Sequence, residues 1–84
     1  MSVTRSDTIE YFCFLKGVFV EHQLAELVKK VNTDVQALKY EYQTDGYVVP
    51  DETVIITFKN GFERRVNVTC DSYREITEDV LKKI

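Results

Sequence analysis

The sequence predicts an α+β domain of element order α-β-β-β-α: a three-stranded antiparallel meander with two helices packed on one face. Three observations carry this. An apolar stripe at helical spacing runs through residues 8–31. Three segments between residues 37 and 70 alternate apolar with polar side chains. A capping sequence, Ser72-x-x-Glu75, then opens a final stretch of helical periodicity. With 84 residues and no linker or repeat, the chain reads as a single domain, 1–84.

The first helix is expected from Thr8 to Val31, behind a capping box Asp7-x-x-Glu10 with Asp7 as N-cap. At about 100° per residue, Ile9, Phe12, Cys13, Val20, Leu24, Leu27 and Val31 fall on one stripe, the expected core surface. The aromatic run Ile9–Leu15 also suits a strand, but the stripe continues through Leu24–Val31 and decides for helix. Gly17, in mid-helix, disfavours helix by ~1 kcal/mol relative to Ala. It marks either a kink or a close approach by another element.

The first strand is "ALKYEYQ", with Leu38, Tyr40 and Tyr42 on its buried side. Asp45-Gly46 and Pro50-Asp51 punctuate the connection that follows. "TVIITF" and "FERRVNVTC" form a hairpin around Asn60-Gly61, and the turn decides which side chains share a face. A two-residue turn puts Val54, Ile56 and Phe58 on the opposite face from Phe62, Val66 and Val68. A three-residue loop, Lys59-Asn60-Gly61, pairs Phe58 with Phe62 and Val54 with Val66, so the apolar sets share one face. Burial selects the second solution, a type I turn with a bulge and Gly61 in the left-handed conformation. Arg64 then falls on the core-facing side, with its head reaching past the edge into water. Lys39, Glu41, Ile55, Thr57, Glu63, Arg65, Asn67 and Thr69 fall on the water-facing side. In the last helix Tyr73, Ile76, Val80 and Ile84 recur at helical spacing, joined by Leu81.

Composition narrows the function classes. The chain is 44% hydrophobic and 30% charged, which argues against disorder. No apolar run reaches the ~18 residues that span a bilayer, and the first residues do not form a secretory signal. A cytoplasmic protein with no membrane partner is expected. The net charge is −3, and none of the blocks 1–35, 36–59 and 60–84 is basic overall, which disfavours nucleic acid as the main partner. Cys13 and Cys70 lack metal-ligand spacing and read as reduced core thiols.

Catalytic patterns are weak. Cys13 and the single histidine, His22, are half a helical turn out of phase and do not form a nucleophile–base pair. His22 and Glu26 have the spacing of a shared metal site, but a solvated helix face accounts for them. The acid pairs Asp51-Glu52 and Glu78-Asp79 read as solvated, and the three glycines form no phosphate loop. Neither catalytic residues, nor a metal, nor a cofactor, nor a small-molecule substrate is expected.

The element order resembles that of the double-stranded RNA-binding domain. That resemblance implies phosphate contacts from a basic start to the last helix, and here the start reads "CDSYREITED", with Asp71, Glu75, Glu78 and Asp79. A nucleic-acid-binding domain is therefore the alternative reading. Residues 55–84 also resemble small uncharacterised proteins carried by bacterial phages and other mobile elements. The strand, the Asn-Gly turn, the strand ending near Cys70-Asp71-Ser72 and the final helix carry that likeness. It implies a non-enzymatic accessory or inhibitor role.

One feature exceeds what a small core needs. Tyr11, Phe14, Leu15 and Val18 lie opposite the core stripe, so the first half of the helix is apolar nearly all round. Either the last helix covers them, through Tyr73, Ile76 and Val80, or another chain does. Tyr42, Tyr47, Val48 and Val49, beside Asp45-Gly46, form a second candidate patch. The expected function is a protein-interaction module that binds itself as a homodimer, or another protein, through the first helix.

Overall fold

Two local signals in the chain fix the meander. In the computed structural model, which describes residues 5–43 and 50–84 (with side chains from Tyr11 onward), β2 (Asp51–Phe58) and β3 (Glu63–Asn67) join through the three-residue loop. Phe58 N–H donates to Phe62 O at 2.8 Å and Gly61 N–H to Phe58 O at 2.9 Å, with Gly61 at φ +88°. Asn60 Oδ1 accepts from Phe62 N–H, fixing the loop from its own side chain. Val54 therefore faces Val66, and Ile56 faces Arg64, as burial requires. The Phe58 and Phe62 rings lie 6.2 Å apart, but Phe62 is exposed at the tip rather than part of the core. Arg64 Nη1 donates to Lys83 O at the end of the last helix, where the macrodipole favours a cation.

β1 (Val35–Gln43) pairs antiparallel with β2, giving the order β1-β2-β3. A bulge at Gln36 separates Val35 from a regular stretch, Ala37–Gln43. β3 ends at Asn67, three residues short of the expected Cys70, because the chain turns there. Asn67 Oδ1 accepts from Thr69 N–H, and Asp71 N–H donates to Val68 O. Cys70 takes a left-handed φ of 65° within that turn. It is exposed, so it is not the core thiol expected, whereas Cys13 is buried.

The first helix begins at Arg5, ahead of the expected cap Asp7, and is helical through Val31. It is not uniform: α1 (Arg5–Val18) passes through a π-helical turn, Phe19–Leu24, into α2 (Ala25–Val31). The wider turn inserts about one residue, so each later residue takes the place its predecessor would hold on a strict α-helix. Ala25 and Val28 are accordingly buried with Cys13, Val20 and Leu24, while Leu27 and Val31, expected inside, are exposed. Phe12, also expected inside, is exposed as well. Gly17 marks a close approach: a Cβ there would lie 3.4 Å from Tyr40 Cδ1. Asn32 ends α2 in an extended conformation, and its Oδ1 accepts from Asp34 N–H, turning the chain directly into β1. The helical stretch consequently lies back over β1, the strand it meets most.

α3 (Tyr73–Lys82) starts at the expected capping box. Glu75 N–H donates to Ser72 Oγ, and Ser72 N–H to Glu75 Oε1. Its Ile76 and Val80 join Leu38, Tyr40, Val54, Ile56, Val66 and Val68 in one core cluster. Tyr73 and Leu81 are mostly outside it, though Tyr73 packs its ring 4.9 Å from that of Phe19. On the opposite sheet face, the side that alternation assigns to water, Ile55 is only 6% exposed. It belongs to the central strand, flanked on both sides by its register partners Lys39 and Arg65, long side chains of the kind whose aliphatic stems cover a neighbour. Among the described residues, no helix is long and apolar enough to cross a membrane.

Candidate functional site

Tyr11, Phe14 and Val18 follow at i, i+3 and i+7, one stripe on the exposed side of α1. They are 61%, 62% and 41% exposed. α3 does not cover them; through Tyr73 it meets Phe19 instead. The fold adds what the sequence left apart. A hollow of about 160 Å³ is lined by Phe14, Gly17, Val18 and Glu21 from the helical stretch and by Tyr40 and Tyr42 from β1. The helix stripe and Tyr42, two separate candidates in the sequence, are therefore one surface at the margin of the sheet. Leu15 is half-buried and turns toward a different cleft. Tyr47 and Val48 lie outside the described residues.

That cleft, about 640 Å³, lies between α1 and the start of α3 and is lined by Phe12, Leu15, Pro50 and Tyr73 among others. Glu52 also lines it and is 1% exposed, which overturns its reading as a solvated acid. The signal was in the register: Glu52 shares the inward side of β2 with Val54 and Ile56, and a carboxylate placed there needs partners. Lys16 Nζ of α1 supplies one, donating to Glu52 Oε1 at 2.8 Å. The Tyr40 hydroxyl also donates to Oε1, and Cys70 N–H donates to Oε2 at 3.1 Å. Burial, and then hydrogen bonding to Glu52 and Cys13, holds the Tyr40 phenol far above its usual range, so it remains a neutral donor. Three donors on one carboxylate tie α1, β1, β2 and the turn after β3 together. The cluster is satisfied from within and works as a structural clasp.

Beside it, the Asp71 carboxyl has a buried Oδ2 with no hydrogen-bond partner. Burial first, then Asp79, Glu75 and Glu52, raises its pKa to about 6. The start of α3 is thus an acidic corner, a poor seat for phosphate. His22 and Glu26 are exposed. Among the described residues, no group of three or more His, Cys, Asp or Glu is placed to hold a metal. No family model matches the chain, and comparison with curated proteins and with solved structures finds no match.

Proposed function

We propose that this protein is a non-enzymatic interaction module. Its contact surface is the stripe Tyr11, Phe14 and Val18 with Tyr42 beside it, and its partner is a second copy of the chain. The observation that supports this is the joining of exposed aromatic and aliphatic side chains from α1 and β1 into one patch at the sheet margin. Aromatic residues of this kind are enriched at the centres of protein interfaces. Each large side chain that becomes fully buried contributes ~1.5–3 kcal/mol before association costs. An accessory or inhibitor role in a cytoplasmic setting, as the likeness of residues 55–84 to mobile-element proteins implies, belongs to the same reading.

Molar mass in solution tests it. The native chain of 9.8 kDa is expected to scatter light as a dimer at concentrations on the order of 100 µM. Phe14→Asp is expected to scatter as a monomer with an unchanged circular dichroism spectrum. A native chain that stays monomeric throughout removes the reading.

A further inference from the structure

We propose that the second copy docks by extending the sheet: the free edge of β1 pairs antiparallel with the same edge of its partner, about a two-fold axis at Tyr40. This rests on the reading above, that a second copy covers the apolar stripe, and it supplies the geometry. Among the described residues β1 pairs only with β2, so its other edge carries a row of unpaired backbone donors and acceptors. Such an edge is a template for another strand unless a device blocks it. The bulge at Gln36 interrupts regular pairing on one side, and the described part of the strand reaches Gln43 on the other. The regular stretch between them, Ala37–Gln43, has Tyr40 at its midpoint.

Charge selects the same centre independently. A two-fold axis perpendicular to the sheet keeps the helices of both copies on one face, and it matches residues at equal distances either side of the axial residue. With Tyr40 on the axis, Lys39 stands opposite the partner's Glu41, and Glu41 opposite the partner's Lys39. Moving the axis to Lys39 sets two lysines directly opposite, and moving it to Glu41 sets two glutamates opposite. Directly opposed like charges destabilise a strand pair, and opposed unlike charges stabilise it. Within one chain Lys39 Nζ and Glu41 Oε1 are already 3.4 Å apart on the exposed face. Pairing at Tyr40 merges two such pairs into a four-charge cluster of alternating sign.

The apolar patch fits the same arrangement. The helical stretch lies over β1, so two copies joined at that strand bring their α1 stripes toward each other across the axis. On the helix side of the sheet the axis sets Tyr42 opposite the partner's Leu38. Tyr42 lines the hollow with Phe14 and Val18, so strand and helix contacts form one continuous interface.

The test is a charge swap read by sedimentation equilibrium. Lys39 and Glu41 are exposed, so their variants are expected to keep the monomer fold, checked by thermal melting. Glu41→Lys is expected to weaken self-association on the order of 10-fold. Adding Lys39→Glu in the same chain restores opposite charges across the axis, and the dissociation constant should return to near the native value. Amides in Ala37–Gln43 should gain hydrogen-exchange protection as protein concentration rises. A native dimer indifferent to Glu41→Lys, or a double variant as weak as the single one, overturns the strand register while leaving the helix-mediated dimer standing. A native chain that is monomeric at every concentration overturns both.

Discussion

The two edges of the sheet are built on opposite plans. β3 is five residues long, carries Glu63, Arg64 and Arg65 in a row, and is tied off at both ends. Arg64 is drawn to the end of α3, and Asn67 Nδ2 donates to Asp51 Oδ1 at 3.2 Å. β1 is nine residues long, offers a regular seven-residue stretch, and stands beside exposed Phe14, Val18 and Tyr42. Shortness and dense charge are the means by which folded proteins keep an edge from pairing. Here β3 has both, whereas β1 is long and carries two charges, Lys39 and Glu41, of opposite sign. In a sheet of only three strands that asymmetry separates a closed side from the side on which we propose the partner docks.

The sharpest way to break the contrast is to let the helix leave its place over β1. Lys16 to Glu52 is the charged tie that holds it, and the glutamate is almost wholly buried. Lys16→Met leaves that carboxylate without its cation and is expected to destabilise the fold by ~3 kcal/mol. For a chain of this length that is a fall of roughly 12–24 °C in melting temperature. Adding Glu52→Leu removes the stranded charge and should recover most of the loss, since a buried pair replaced by apolar groups is often neutral. A single variant that melts within about 2 °C of the native chain would show that the tie contributes little.

Next in size is the transfer of the closed edge's device to the open one. Tyr42→Lys puts a cation where β1 meets the α1 stripe. It is expected to weaken self-association by roughly 10-fold or more, while shifting monomer stability by under about 0.5 kcal/mol. Equal self-association of both forms by sedimentation would exclude Tyr42 from the contact.

The closed side has its own weak point at Asp71. Its folded pKa of about 6 lies above the ordinary value of 3.8, so between those values the native state holds a proton that the unfolded chain has released. Its contribution is fully present below pH 3.8 and is lost as pH rises through about 6. After allowance for solvent screening, the effect is on the order of 1 kcal/mol. Asp71→Asn should flatten that dependence and be more stable than the native chain at pH 7.5. A native chain and variant with parallel melting profiles from pH 4 to 8 would refute the assignment.

Legibility in the sequence followed the range of the interactions. The Asn60-Gly61 loop, the Ser72 cap and the facing of Val54 with Val66 depend on residues close in the chain or on one sheet face, and the pattern of side chains specifies them. The inward turn of Val28 in place of Leu27 follows from the π-helical turn, which a 100° wheel does not contain. Glu52 turns inward rather than to water, and the local pattern does not reveal it because its partners, Lys16 and Tyr40, come from other elements. Cys70 lies outside the core because the Asn67 turn ends β3 early. Phe14 and Tyr42 each stand out as contact candidates in the sequence, but only the helix lying back along β1 makes them neighbours.

The smallest expected effect is at Gly17, where helix preference and helix–sheet contact pull in opposite directions. Alanine in mid-helix gains up to ~1 kcal/mol over glycine. The added Cβ meets Tyr40 Cδ1 at 3.4 Å, the near limit of ordinary contact, so some of that gain is lost to crowding. Gly17→Ala is therefore expected to raise stability by about 0.5 kcal/mol. Gly17→Leu drives the Tyr40 ring off its site, takes its hydroxyl from Glu52, and should lose ~2 kcal/mol. Chemical denaturation of both variants decides between the two roles of this position. If alanine also destabilises by more than about 1 kcal/mol, the helix lies on β1 more tightly than a methyl group allows, and the glycine is required by the close approach itself.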